Sequence, residues 1–295
     1  MSPDEFQVVG IRHIAEQPDK LKKKWYQGRP IFSIGILVLI VAGCLGNRFI
    51  MTKDPTYMDL LHYSLAPDAE FLFGTDTMGR DIFSMIWYGG RISLLIGLLS
   101  AAISTVIAVL FGAVSGIAPQ WLDTLLMRVT EILLSIPNLL LVILLQAILG
   151  KANVLTISFV IGVTGWTSIA KVVRTEVRQI RNSEYVIASR CMGGGFFHIL
   201  WKHLTPNFVS SIMFMVVMNV RSAIVSESTL SFMGIGLPLE VISWGSMLSL
   251  SEKALLGGSW WMILIPGVFL VVTLLCMTNI GNYLRKSVNQ KQSNL

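Results

Sequence analysis

The chain has 295 residues, of which 53% are hydrophobic and only 14% charged, and its mean hydropathy is +0.67. Soluble domains carry about 25% charged residues, so these proportions exclude an ordinary water-soluble globule. The formal charge of +6 comes from 23 basic and 17 acidic residues. The basic ones flank long apolar stretches, so the excess reads as membrane orientation and excludes a nucleic-acid partner.

Residues 1–30 read as a polar cytoplasmic tail, with Leu21, Trp25 and Tyr26 beside Lys22, Lys23 and Lys24 expected to lie on membrane lipid. Gaps between charges then mark the crossings: Ile31–Asn47, Ile92–Leu122, Ile132–Gly150, Ala152–Ala170, Leu204–Val220 and Ala254–Leu284. A crossing takes about 20 apolar residues. The pattern predicts an all-α integral membrane protein with six transmembrane helices, over about 31–50, 92–117, 129–149, 153–173, 204–227 and 260–284. Together they form a domain over 31–285, followed by a cytoplasmic tail, 286–295. With the N-terminus inside, the inner segments hold 16 basic residues and the outer ones six, which places both termini in the cytoplasm. Val41-Ala42-Gly43-Cys44 looks like a lipoprotein cleavage box, but too many residues precede it for a signal peptide. The first span therefore reads as a retained helix.

The outer loop after span one contains Gly74, Asp76, Gly79, Arg80 and Asp81, a rigid turn in which the carboxylates bond local amides. Gly112 and Gly116 form a small-residue pair suited to close helix packing, within this subunit or between subunits. Pro137 and Pro266 are expected to bend their helices.

Between the fourth and fifth spans lies a polar, basic segment over 171–203. Ser183 is placed to cap a short helix starting at Glu184, and the glycines from Gly193 end it. Tyr185, Ala188, Ser189 and Met192 share overlapping faces at three- and four-residue spacing, and Arg190 is available for an acidic partner. A bulky residue at Gly193 is expected to clash in the turn.

In the fifth span Arg221 and Glu227 are costly charges, six residues apart and so on different faces. Arg221 reads as a helix anchor or a passage wall, and Glu227 as an organiser of the following loop, which carries Gly234 and Trp244. Met215, Met218 and Asn219 are candidates for a passage lining that tolerates varied cargo.

The search for catalysis is negative. There is no GxxxxGKS/T phosphate loop, no HExxH pair, and no gathering of the four histidines or three cysteines into a metal or disulfide framework. Catalytic residues and metal ligands are both read as none.

Four ordered blocks carry a resemblance. They are the GTDxxGRD turn with Tyr88-Gly89-Gly90-Arg91-Ile92-Ser93-Leu94, the segment Glu184–Arg190 with Gly193 and His203–Asn207, Glu227–Gly236, and Ser243–Leu248. The chain is similar to the permease subunits of ATP-binding-cassette importers for peptides and nickel, and resembles the second, C-type permease. The resemblance implies a type I importer fold whose coupling helix docks on an ATPase. It also implies a sibling permease, two cytoplasmic ATP-binding subunits that carry ATP and Mg, an extracytoplasmic substrate-binding protein, and residence in a prokaryotic cell membrane. By the same resemblance Glu184, Tyr185, Ala188, Ser189, Arg190, Met192 and Gly193 form the ATPase contact. The family's Glu-Ala-Ala triplet reads Ile187-Ala188-Ser189 here, and the prolines usual before the tryptophan are replaced by Leu239-Glu240-Val241-Ile242. Di- or oligopeptide is the leading cargo, nickel or a metal chelate the alternative. A stand-alone ion-coupled carrier is the reading from another class.

Overall fold

The computed structural model describes residues 30–181, 183–193, 195, 198, 205–238 and 240–292. The predicted tail before Pro30, the segment 196–204 apart from His198, residues 293–295, and the side chains of Tyr185 and Arg190 lie outside the described residues. What is described is helical, with one isolated antiparallel bridge between Thr75 and Asp81.

Helix α1 (Ile31–Leu45) is apolar on every side and is followed by the short α2 (Asn47–Ile50). α3 (Ile82–Ile117) begins ten residues before the span predicted from 92. Arg91 ends the charge-free stretch, but it does not end the helix. Its guanidinium lies 3.9 Å from the Tyr88 ring centroid, and the helix starts where Asp81 caps it by accepting from Ser84 N.

The third predicted span is two helices, α4 (Gln120–Ser135) and α5 (Asn138–Leu149), meeting at 92°. Pro137 cannot donate to a helical ladder and holds Ile136 extended, at φ −91° and ψ 129°. The fourth is α6 (Val154–Thr164) and α7 (Thr167–Ile180), bent by 47° at Gly165 and Trp166. α8 (Glu184–Cys191) follows, then α9 (Thr205–Phe232), α10 (Trp244–Leu256) and α11 (Trp261–Gln292), which contains Pro266.

By length and composition α3 and α11 are each able to cross a membrane, and so is each bent pair taken together. Large apolar side chains face outward on these helices and on α1, among them Phe32, Leu98, Val106, Leu264 and Leu275. Water would not tolerate that surface and lipid would. The chain is a multi-pass membrane protein.

α3 and α9 run through all three apolar clusters. The first joins α1, the start of α3, α10 and α11 around Ile86, Trp244 and Met262. The second joins the end of α3 to α7 and α8 through Ala113, Val173 and Val186. The third sets α5 and α6 against α3 around Ile96 and Ile157. At Gly112 a Cβ would lie 2.5 Å from the Ala170 carbonyl oxygen, so the small-residue pair serves packing of α3 on α7 within this chain.

Candidate functional site

The turn from Gly74 to Asp81 is built as a closed knot. Asp76 Oδ1 accepts from Met78 N and Arg80 N at 2.8 and 2.9 Å, and Oδ2 accepts from Arg80 Nε at 2.8 Å. Asp76, Arg80 and Asp81 are all buried. Gly79 has φ +71° and sits so close to the Asp59 carbonyl that a Cβ would overlap it at 1.7 Å. Gly74 also has positive φ, and Trp261 Nε1 of α11 donates to the Thr75 carbonyl beside it. The turn is thereby fastened to the far end of the chain.

Glu227 is fully buried near the end of α9. Its Oε1 accepts from Ser243 and Ser231 hydroxyls at 2.8 and 3.0 Å, and its Oε2 from Ser93 and Ser228 at 3.2 and 3.4 Å. Three of these serines also accept a backbone N–H: Ser231 from Leu237, Ser243 from Ser246, and Ser93 from Trp244. A hydroxyl has one proton, so each serine that takes an amide proton turns its own toward the carboxylate. Glu227 therefore organises the loop over 234–246 through three relays. Trp244 is wholly buried, with Nε1 donating to the Ile86 carbonyl at 3.1 Å. Gly234, at φ +75°, ends α9. Arg221 has no part in this hub: it is half-buried, and its enclosed Nε has no partner among the described residues.

Three of the four candidate passage residues meet in one place. Met215, Met218 and Asn219 of α9 line a cavity of about 460 Å³ with Pro137 and Asn138 at the α4–α5 bend and Gly165 at the α6–α7 bend. Arg221 is not part of that wall. Asn219 Nδ2 donates to Ser104 Oγ of α3 at 2.7 Å. The polar lining is amide and hydroxyl, with no charged side chain, and the volume is in the range of small-ligand sites, about 300–1,000 Å³.

A second cluster, which spacing in the sequence did not reveal, ties the start of α4 to α3 and α7. Asp123, near the start of α4, accepts from Arg174 Nε and Nη2 of α7, both at 2.5 Å, from Arg178 Nη1 at 2.9 Å, and from Ser115 Oγ of α3 at 2.6 Å. The Arg174 hydrogen bond holds the Asp123 carboxyl down at about 2, against an ordinary 3.8. Burial opposes this, and the Ser115 hydroxyl adds to it. The same pairing raises the Arg174 pKa. Arg181 Nη1 donates to the Gly116 carbonyl at the end of α3. The partners lie 51 and 55 residues apart, so no local motif announces them. The only sequence cue was an acidic residue directly after the charge-free stretch Ile92–Leu122.

α8 begins at Glu184 as expected, but Ser183 acts differently from the expected cap: its hydroxyl donates back to the Ile180 carbonyl. Ser189 differs too. It is 5% exposed and turned inward with Val186, because the helix needs an apolar and a small residue against the body. The outward face carries Glu184, Ile187, Ala188, Cys191 and Met192, with Met192 82% exposed. Ile187, which sequence reasoning left out, belongs to that face. Gly193 has φ +83°, and among the described residues, its chain neighbours apart, nothing lies within 4 Å of the position a Cβ would take. The expected clash is absent, and the positive φ alone demands glycine there.

Residues 108–290 match the family described as "Binding-protein-dependent transport system inner membrane component". The chain is 37% identical over 256 residues to the dipeptide transport system permease protein DppC of Bacillus subtilis (strain 168), covering 87% of this chain and 79% of that protein. It is 36% identical to the oligopeptide transport system permease protein OppC of the same organism, covering 87% and 83%. It is also 30% identical to the di/tripeptide transport system permease protein DppC of Pseudomonas aeruginosa (strain UCBPP-PA14), covering 94% of each. Among solved structures it is similar in fold to a chain of the MetNI methionine ABC transporter in inward-facing conformations. The TM-score there is 0.53 at 17% identity, over 69% of this chain and 96% of that one. A family match over more than half the chain, joined to relatives at 30–37% identity along most of it, makes this protein a member of the inner membrane components of binding-protein-dependent transport systems.

Proposed function

We propose that this chain is one of two non-identical permease halves of an ATP-driven peptide importer, crossing the cell membrane six times with both termini in the cytoplasm. The observation that carries the reading is the uncharged cavity between the two helix bends, with α4 and α7 tied together by the Asp123 cluster and α8 packed against α7. Amide and hydroxyl groups suit the main chain of a peptide without selecting its side chains. The permeases it resembles are named for dipeptide and oligopeptide transport. Nickel is disfavoured because the lining offers thioethers and no imidazole, thiolate or carboxylate. An ion-coupled carrier is disfavoured because titratable groups are missing from that wall.

In this reading two cytoplasmic ATPases grip α8 through Ile187, Ala188, Cys191 and Met192. ATP-driven closure moves α8, and α7 moves with it. Arg174 and Arg178 carry α4 along through Asp123, so the bends that wall the cavity shift together. A soluble binding protein delivers cargo on the opposite side, and no bond in the cargo is broken.

The test is reconstitution with the sibling permease, the ATPases and the binding protein in proteoliposomes, following uptake of labelled di- and oligopeptides. ATP-dependent uptake that falls at least about tenfold in Met218→Trp, which fills the cavity, supports the reading. Accumulation driven by an ion gradient in this chain alone, or uptake indifferent to Met218→Trp, overturns it.

A further inference from the structure

The segment between α2 and α3 holds a second cavity, of about 110 Å³, whose wall includes Lys53, Asp54, Asp59, His62, Glu70 and Asp81. Four carboxylates line it against one ammonium and one imidazole. Lys53 Nζ is engaged by Glu70 at 2.6 Å and lies 3.4 Å from the Phe71 ring centroid. His62 Nδ1 is 2.7 Å from Asp59 Oδ2, and this hydrogen bond holds the Asp59 carboxyl below the ordinary carboxylate range. Asp54 accepts from the Thr56 amide and hydroxyl.

Asp81 stands apart. It is 3% exposed, and its Oδ2 accepts from Thr52 Oγ1, Ser84 N and Ser84 Oγ. Its Oδ1 is enclosed and has no donor among the described residues. A buried carboxylate oxygen left without a donor is expensive. Asp81 is thus part of the cavity wall and carries a negative oxygen that nothing in the described chain satisfies. The frame of the cavity is rigid. Gly79 is wedged on Asp59, and the Thr75 hydroxyl donates to the His62 carbonyl at 2.5 Å. The same segment bears Tyr57, Met58, Leu60, Leu61 and Tyr63, each between 57% and 92% exposed. A desolvated charge near exposed aromatic and aliphatic side chains has the make-up of a protein-interface hot spot.

We infer that this cavity is a docking socket for one lysine or arginine side chain of the extracytoplasmic binding protein, with Tyr57, Leu60 and Leu61 forming an apolar collar around it. The inference rests on the importer reading above, which puts this segment outside and supplies a soluble partner. Charge complementarity selects a cationic group. Among the described residues no three His, Cys, Asp or Glu side chains are gathered to hold a metal, which favours a side-chain cation over a bare ion.

The experiment uses the full complex in nanodiscs and measures the Kd of the binding protein at low and high salt. Asp81→Asn should weaken docking about tenfold or more and flatten its salt dependence; the amide still caps α3 at Ser84. Asp54→Asn, at a more exposed position, should flatten the salt dependence in case the first variant fails to assemble. Leu61→Ser should weaken docking with the salt dependence intact. Unchanged affinity and salt dependence in assembled Asp81→Asn or Asp54→Asn complexes overturn the inference. So does thermal stabilisation of the complex by calcium chloride alone that Asp81→Asn abolishes, since that outcome describes an ion site. An effect confined to nanodiscs containing phosphatidylethanolamine overturns it in favour of a lipid amine. ATP-dependent peptide uptake at saturating binding protein is read with the same purified complexes reconstituted in proteoliposomes. If it persists while docking is unaltered, the socket falls and the importer reading stands; if the unsubstituted complex shows none, both fall.

Discussion

Asp123 and Glu227 are buried carboxylates satisfied in opposite ways, one by two guanidiniums and the other by four hydroxyls. The difference predicts different failures. For Asp123 the folded carboxyl lies near 2 and the unfolded one near 3.8. A depressed pKa contributes stability that is present above the unfolded value and lost as pH falls through the folded one. Asp123→Asn should therefore cost about 2 kcal/mol at neutral pH, somewhat less if solvent screens the half-exposed Arg178. The gap between variant and parent should close as pH falls from 3.8 towards 2. Thermal unfolding in detergent across that window checks it, and a gap that persists at the acid end would count against the cluster. In Glu227→Gln the new amide donors face serine protons already turned inward. The expected cost is about 2–3 kcal/mol, with protease cutting appearing in the 234–246 loop; an uncut loop and unchanged melting would refute the relay arrangement.

Element boundaries followed from composition where one residue type decides them. Charge gaps located the apolar stretches, and Pro137 located a bend. The 92° turn itself was not legible, because proline says that a ladder is interrupted and not how far its halves swing. Gly193 was legible as a helix end, and its φ of +83° suits that role; the clash expected of a bulky residue there was not borne out among the described residues. Gly193→Val should therefore lower the melting temperature modestly, through the strain of a β-branched residue at positive φ, and lower peptide imported per ATP hydrolysed. Gly193→Asn, which tolerates that conformation, should restore the ratio. Equal defects in both variants would show that bulk matters after all. The inward turn of Ser189 was hidden for a related reason. Three- and four-residue spacing defines a helical face but not which way it points, and the choice is made by Val186 packing into the second apolar cluster.

At the scale of the whole molecule, the family and its ordered motifs were readable from sequence. The contacts that join distant segments were not, since Asp123 with Arg174 and Ser93 with Glu227 depend on closure of the whole bundle. In the importer reading proposed above, function at this scale is a surface property of α8. Ile187→Asp with Met192→Asp removes the apolar face and leaves the buried Val186 in place. Copurification of the ATPase should fall by about tenfold or more, with assembly of the two permeases retained; undiminished recovery would place the grip elsewhere. The length of α3 carries one more consequence. Its 36 residues at about 1.5 Å each give a rod of roughly 54 Å, against a hydrocarbon slab about 30 Å thick. Upright or modestly tilted, such a rod is longer than the bilayer with its headgroups, about 40–45 Å. In the importer reading proposed above, the end that bears Asp81 is then a pedestal, and one uninterrupted helix fixes how far from the membrane centre cargo is handed over.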